Sequence, residues 1–128
     1  MPAQKKEKNK ILAVVGSVNP NTTVQMEELW LSQRTHNVFV KTRELLEGDE
    51  RREQEIARVT KEILDECDRN VISTVTGDGI YPENRIDFTP YMERYQCSLD
   101  EVTGKINRAF AEITYRIFKA EPTFRGLY

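Results

Sequence analysis

The apolar positions of this chain follow two rhythms, short unbroken runs and longer stripes. Ile11-Leu12-Ala13-Val14-Val15 is a continuous run that stops at Gly16. Such a run suits a strand buried on both faces, as in a parallel sheet covered by helices. Val38-Phe39-Val40 and Val71-Ile72-Ser73-Thr74-Val75 predict a second and a third strand, the third stopped by Gly77-Asp78-Gly79. Phe124 to Tyr128 predicts a fourth. Between these runs the period lengthens. Val24, Met26, Leu29 and Trp30 mark a helix running to about Gln33, opened by Thr22 and Gln25 at capping-box spacing. From Asp49 onward, Ile56, Val59, Ile63, Leu64 and Cys67 recur at steps of three and four, one apolar stripe under a charged outer face. Leu99, Val102, Ile106, Phe110, Ile113 and Ile117 form a further stripe. Ser98 and Glu101 open that helix with a second capping box, and Pro122 closes it.

The order is therefore β-α-β-α-β-loop-α-β. Strands alternating with helices predict an α/β fold of three layers, a mostly parallel sheet of about four strands flanked by helices. Residues 11–128 form this domain, and residues 1–10 are a polar leader carrying Lys5, Lys6, Lys8 and Lys10. Charge runs of that kind are usually solvated. Residues 76–97 show neither rhythm but hold Tyr81, Phe88, Tyr91 and Tyr95 with Pro82 and Pro90. A stretch this long between elements is a lid, a binding loop or an insertion packed on itself, and its rings argue against disorder. One function class uses it directly: a non-catalytic interaction or regulatory module that sets the aromatic loop 77–97 against another domain or a second copy. A terminal edge strand also invites pairing into a homo-oligomer.

Composition narrows the rest. With 128 residues and a net charge of −2, the chain has one core and no excess of cations for a nucleic-acid backbone. Its longest apolar run is far below the ~20 residues of a membrane span, and below the ~7–15 of a secretion signal. Cys67 and Cys97 sit in no ligand or redox motif, which suits reduced thiols in the cytoplasm.

Candidate chemistry centres on the loop Gly16-Ser17-Val18-Asn19-Pro20-Asn21-Thr22. It follows the first strand and feeds a helix, where unpaired N–H groups and the helix dipole stabilise a phosphate. Gly16 permits close backbone approach, and Ser17, Asn19 and Thr22 offer short side chains to phosphate or sugar oxygens. The same segment also reads as a tight turn with a cap, being neither a Walker loop nor GxGxxG. Thr76 and Gly77 end the third strand on the same edge, as second contacts or as a strand stop. His36, the sole histidine, falls between a helix and a strand and reads as exposed; it supports neither a zinc site nor a catalytic triad. Asp78, Glu83 and Asp87 are carboxylates of the kind that hold magnesium beside phosphates, although their spacing does not single them out. A flavodoxin-like flavin or sugar-phosphate binder is a third reading of the same pattern.

The stretch Val14-Val15-Gly16-Ser17-Val18-Asn19-Pro20-Asn21-Thr22-Thr23-Val24-Gln25 resembles the opening of the C-terminal nucleotide-binding domain of four-carbon acid sugar kinases. That opening is a hydrophobic strand, Gly-Ser-x-Ser, then Thr and a helical Gln; here Asn19 stands in place of the second Ser. The likeness continues in order through a Val-rich second strand, a third strand ending in Thr76-Gly77, the Ala111-Glu112-Ile113 of a long helix, and Phe124-Arg125-Gly126-Leu127-Tyr128. In the family a Gly-Gly-Asp/Glu-Thr motif comes next, so the chain corresponds to about the first two-thirds of the family domain. The resemblance implies part of a kinase that uses ATP and Mg2+ to phosphorylate a sugar acid such as threonate or erythronate. It also implies a partner N-terminal domain that binds the sugar acid, and so no catalysis by this chain alone. Of the family's nucleotide contacts, Ser17 and Asn19 are the matching positions.

Overall fold

The computed structural model describes residues 10–16, 20–32, 35–67 and 72–127. Among these, β1 (Lys10–Val15), β2 (Thr35–Val40), β3 (Ile72–Gly77) and β4 (Phe124–Leu127) form one parallel sheet in the order β2-β3-β1-β4. The helices are α1 (Pro20–Ser32), α2 (Thr42–Leu46), α3 (Asp49–Glu66), α4 (Thr89–Tyr95) and α5 (Leu99–Ala120). Two short 3-10 turns, Asp78–Ile80 and Pro82–Asn84, follow β3. The α/β class and the flanked parallel sheet are those the alternation predicts.

Strand alternation assigns each sheet face its own chemistry. Leu12, Val38, Val40 and Val75 point to the side covered by α3 and α5, and pack there with Ile56, Val59, Ile63, Ala109, Ile113 and Ile117. Each buried Ile or Val contributes about 1.5–3 kcal/mol relative to exposure, so this layer carries the fold. The start of α5 is fixed by the expected box: Ser98 N–H donates to Glu101 Oε1 at 3.0 Å, and Glu101 N–H donates to Ser98 Oγ at 3.2 Å.

The opposite face belongs to α1 and has a polar centre at Asn37, Thr74 and Thr76. Thr74 and Thr76 are fully buried, and their hydroxyls donate to Asn37 Oδ1 at 2.6 and 2.7 Å. Trp30 Nε1 donates to Thr74 Oγ1 at 3.2 Å and its ring meets Phe39 edge-on at 5.7 Å. These bonds satisfy groups that burial would otherwise penalise, and they seat α1 over β2 and β3.

Several expectations are corrected. The helix predicted to open at Thr22 begins at Pro20, whose fixed φ suits a first helical position; Thr22 therefore lies inside the first turn and does not precede it. The second strand starts at Thr35 and the third ends at Gly77, because β2 and β3 pair over their full length from Thr35 opposite Ile72 to Val40 opposite Gly77. His36 accordingly lies within β2, half-buried, with Nδ1 enclosed and unpartnered. Leu99 is 49% exposed and does not join its stripe in the core. Lys10, assigned to the leader, is the first residue of β1 and pairs with Glu121 at 3.4 Å; residues 1–9 lie outside the described residues.

The segment 76–97 is an ordered insertion. Tyr91 is buried with Leu46 and Val102 in a second cluster, against which Phe88, Met92, Tyr95 and Cys97 pack. Tyr95 Oη donates to the Leu46 carbonyl at 2.6 Å, and Tyr81 packs against Phe39. Its rings serve the domain's own interior, which removes the main support for the interaction-module reading.

Tyr91 also donates its hydroxyl to Glu47, and Arg94 Nη1 reaches the same carboxylate at 3.3 Å. Glu47 is thereby held below the usual carboxylate range, first by the Tyr91 hydroxyl and then by Arg94. Burial, followed by the Glu47 contact, pushes the Tyr91 phenol up. A lowered carboxylate pKa stabilises the fold at neutral pH, and that contribution is lost as pH falls through the folded-state value. Tyr91→Phe is expected to return the Glu47 titration, followed by NMR of its carboxyl carbon, toward the ordinary value near ~4.3.

Candidate functional site

The connections leaving β1 and β3 separate. From β1 the chain passes to α1 on the polar face; from β3 it passes through α4 to α5 on the apolar face, although the two strands are neighbours. In an open parallel sheet such a divergence leaves a crevice at the carboxyl ends of the strands, where ligands bind. A cavity of about 580 Å³ lies there, within the roughly 300–1,000 Å³ of small-molecule pockets.

Val14, Gly16, Gly77 and Thr42 line it where β1 and β3 end and α2 begins. One wall is the stripe Thr103, Ile106, Asn107 and Phe110 of α5, spaced by three and four so that all four share a helix face. The other wall is the strap after β3, with Gly79, Ile80, Asn84, Arg85, Ile86 and Phe88. Among the described residues the lining is largely apolar with a few polar groups, and the charged side chain in it is Arg85.

Each glycine has a separate physical reason. Gly77 has φ −66° and ψ 138°, a backbone any residue adopts. A Cβ there would sit 3.3 Å from Phe110 Cζ and 3.9 Å from Thr42 Oγ1, so glycine keeps open the space between β3 and α5. Gly16 is exposed, with nothing within 4 Å of an added Cβ, and stands at the open mouth of the cavity. Beside it, Asp78 Oδ1 accepts from Thr42 Oγ1 at 2.9 Å and from Thr42 N–H at 3.3 Å. That carboxylate ties α2 to the end of β3 and shapes the rim.

Of the residues the sequence nominated, Gly16 and Gly77 are brought together in this cavity. Thr76 is not: its side chain points to the α1 face, fully buried, and its hydroxyl is committed to Asn37. Ser17 and Asn19 lie outside the described residues, as does the side chain of Thr22. Among the described residues no three of His, Cys, Asp and Glu gather as a metal site. Asp87 accepts from Thr89 N–H at 3.0 Å, and Glu83 is exposed on the strap.

Sequence reasoning missed the walls. Ile106 and Phe110 read as core because they share the stripe of Ile113 and Ile117, yet at the carboxyl edge the sheet ends and they face the cavity. Thr103 and Asn107 on that same helix face were the available signal, polar residues interrupting an apolar stripe.

Residues 12–128 match the family described as the nucleotide-binding C-terminal domain. The chain belongs to that family. No curated protein matches it. Among the described residues, the cavity bounded by Gly16 and Gly77 has no carboxylate in its lining. No helix among the described residues is long and apolar enough to cross a membrane.

Proposed function

We propose that this domain binds ATP for the phosphorylation of a four-carbon sugar acid of the threonate or erythronate type. The observation that carries the reading is the cavity at the β1–β3 divergence, with Gly16 at its mouth and the apolar α5 stripe at its side. An apolar wall with Thr103 and Asn107 suits a base and ribose. The loop entering α1 suits phosphates, through N–H groups of the loop and of the first helical turn and through the side chains of Ser17, Asn19 and Thr22. Magnesium enters on those phosphates, since the ion keeps most of its shell from phosphate and water and needs one or two carboxylates at most.

The acid sugar is held by an N-terminal domain of the same enzyme, and transfer rests on positioning and charge stabilisation between the two. This chain's part is to bind and orient the nucleotide, and it is inactive by itself. The setting is the cytoplasm, where thiols such as Cys67 and Cys97 stay reduced.

Calorimetric titration with Mg-ATP tests the reading. Heat of binding is expected, and its absence with Mg-ATP in excess would refute the reading.

A further inference from the structure

Among the described residues, the neutral polar side chains lining the cavity are Thr42, Asn84, Thr103 and Asn107. The two threonines are already engaged. Thr42 Oγ1 donates to Asp78 Oδ1 at 2.9 Å, and Thr103 Oγ1 donates to the Leu99 and Asp100 carbonyls of its own helix at 3.1 and 3.2 Å. The carboxamides of Asn84 and Asn107 have no hydrogen-bond partner among the described residues. We infer that Asn107 is the base-selecting residue of this site, its carboxamide pairing with the N6–H and N7 edge of adenine and rejecting a 6-oxopurine. This inference rests on the nucleotide reading and deepens it.

What separates the two amides is where each stands. Asn84 closes the short turn Pro82–Asn84, a setting in which asparagine is ordinary because it favours turns. Asn107 stands well inside α5, where asparagine is a poor helix former and no helix end needs its side chain. Its neighbours on the cavity face, Ile106 and Phe110, are apolar and half-buried. Neither the helix nor the packing accounts for a carboxamide at this position, whereas a ligand edge does. A helix also fixes a side chain more closely than a loop, as selection between similar edges requires. An asparagine amide offers one donor beside one acceptor. Adenine presents the matching pair, N6–H and N7, while guanine and hypoxanthine present two acceptors, O6 and N7. One of those acceptors must then face the amide oxygen, and apolar surroundings make that mismatch costly.

The test is calorimetric titration of the full chain, Asn107→Leu, Asn107→Gln and Asn84→Leu with the magnesium forms of ATP, inosine triphosphate and GTP. Asn107 is exposed and leucine is the better helix former, so a thermal melt is expected to show Asn107→Leu folded. The unsubstituted chain is expected to bind ATP at least about tenfold tighter than the other two, within the range of one bidentate base contact. Asn107→Leu should abolish that preference, chiefly by weakening ATP. Asn107→Gln should restore part of it, and Asn84→Leu should keep it. Equal binding of ATP and inosine triphosphate by the unsubstituted chain would overturn the inference and leave the nucleotide reading standing. So would a preference that survives in Asn107→Leu, or one that disappears in Asn84→Leu. GTP refused while inosine triphosphate is accepted would also overturn it, by assigning selection to the space around the 2-amino group. No binding of any of the three by the unsubstituted chain would remove the reading, and the inference with it.

Discussion

Gly77→Val is expected to lower the affinity of this domain for ATP more than tenfold while leaving it folded. The two halves of that expectation come from different observations. The backbone at Gly77 is ordinary extended chain, φ −66° and ψ 138°, so a β-branched residue meets no conformational penalty there. Space is the obstacle. A Cβ already stands 3.3 Å from the Phe110 ring, and the two methyls beyond it must displace that ring or enter the cavity between β3 and α5. Either outcome removes volume that a ligand needs, and one tenfold step in affinity corresponds to about 1.4 kcal/mol. Titration with Mg-ATP, beside a thermal melt on the same sample, reads both parts. A variant that melts like the unsubstituted chain and binds ATP equally would show that the nucleotide lies elsewhere.

Glu55→Ala is expected to cost about 3–5 kcal/mol of stability, the range for removing one partner of a buried ion pair. Glu55 is 4% exposed, and its carboxylate accepts from the Lys41 N–H at 2.7 Å and from Arg58 Nε at 2.9 Å. Arg58 in turn donates to the Phe39 carbonyl at 2.8 Å. One carboxylate thus fastens α3 to the end of β2 and to the first residue before α2, directly beneath Thr42 at the cavity rim. Its loss leaves the Lys41 N–H without its acceptor and takes one of two carboxylates from the half-buried Arg58 guanidinium, which keeps Glu62 and the Phe39 carbonyl. Urea denaturation measures the effect as a lower midpoint at unchanged slope. A change below about 1 kcal/mol, the typical value for an exposed pair, would mean that solvent replaces the carboxylate freely.

The sheet and its main helices were readable because their signals are local. A run of five apolar residues before Gly16, and stripes such as Ile56, Val59 and Ile63, carry their own period and need no partner to be recognised. The exact extents of β2 and β3 were not readable, since Thr35, Asn37 and Thr76 become strand only by pairing across the sheet with Ile72, Thr74 and Phe39. α2, five residues long, is too short for a period. α4 was legible in principle: Phe88, Tyr91, Met92 and Tyr95 lie at steps of three, one and three, a helical face hidden by the prolines around it.

For the site, the outcome divides along the same line. Gly16 and Gly77 were nominated from their place at strand ends, and the topology brings both to one cavity. Thr76 was misassigned because neighbouring strand positions face opposite ways, and only the register tells which of Thr76 and Gly77 meets the cavity. Thr103, Asn107 and Arg85 come from elements remote in sequence, and no local spacing joins them to the loop after β1.

The most direct measurement is amide chemical-shift mapping of the 15N-labelled chain with Mg-ATP. Shifts are predicted to cluster on Gly16, Gly77, Arg85, Ile106 and Asn107, and to leave untouched the charged groove of Arg52, Glu53, Arg108 and Arg116 on the outer side of α3 and α5. Shifts centred on that groove, or no shifts at the cavity residues with ATP in excess, would contradict a nucleotide site at the carboxyl ends of β1 and β3.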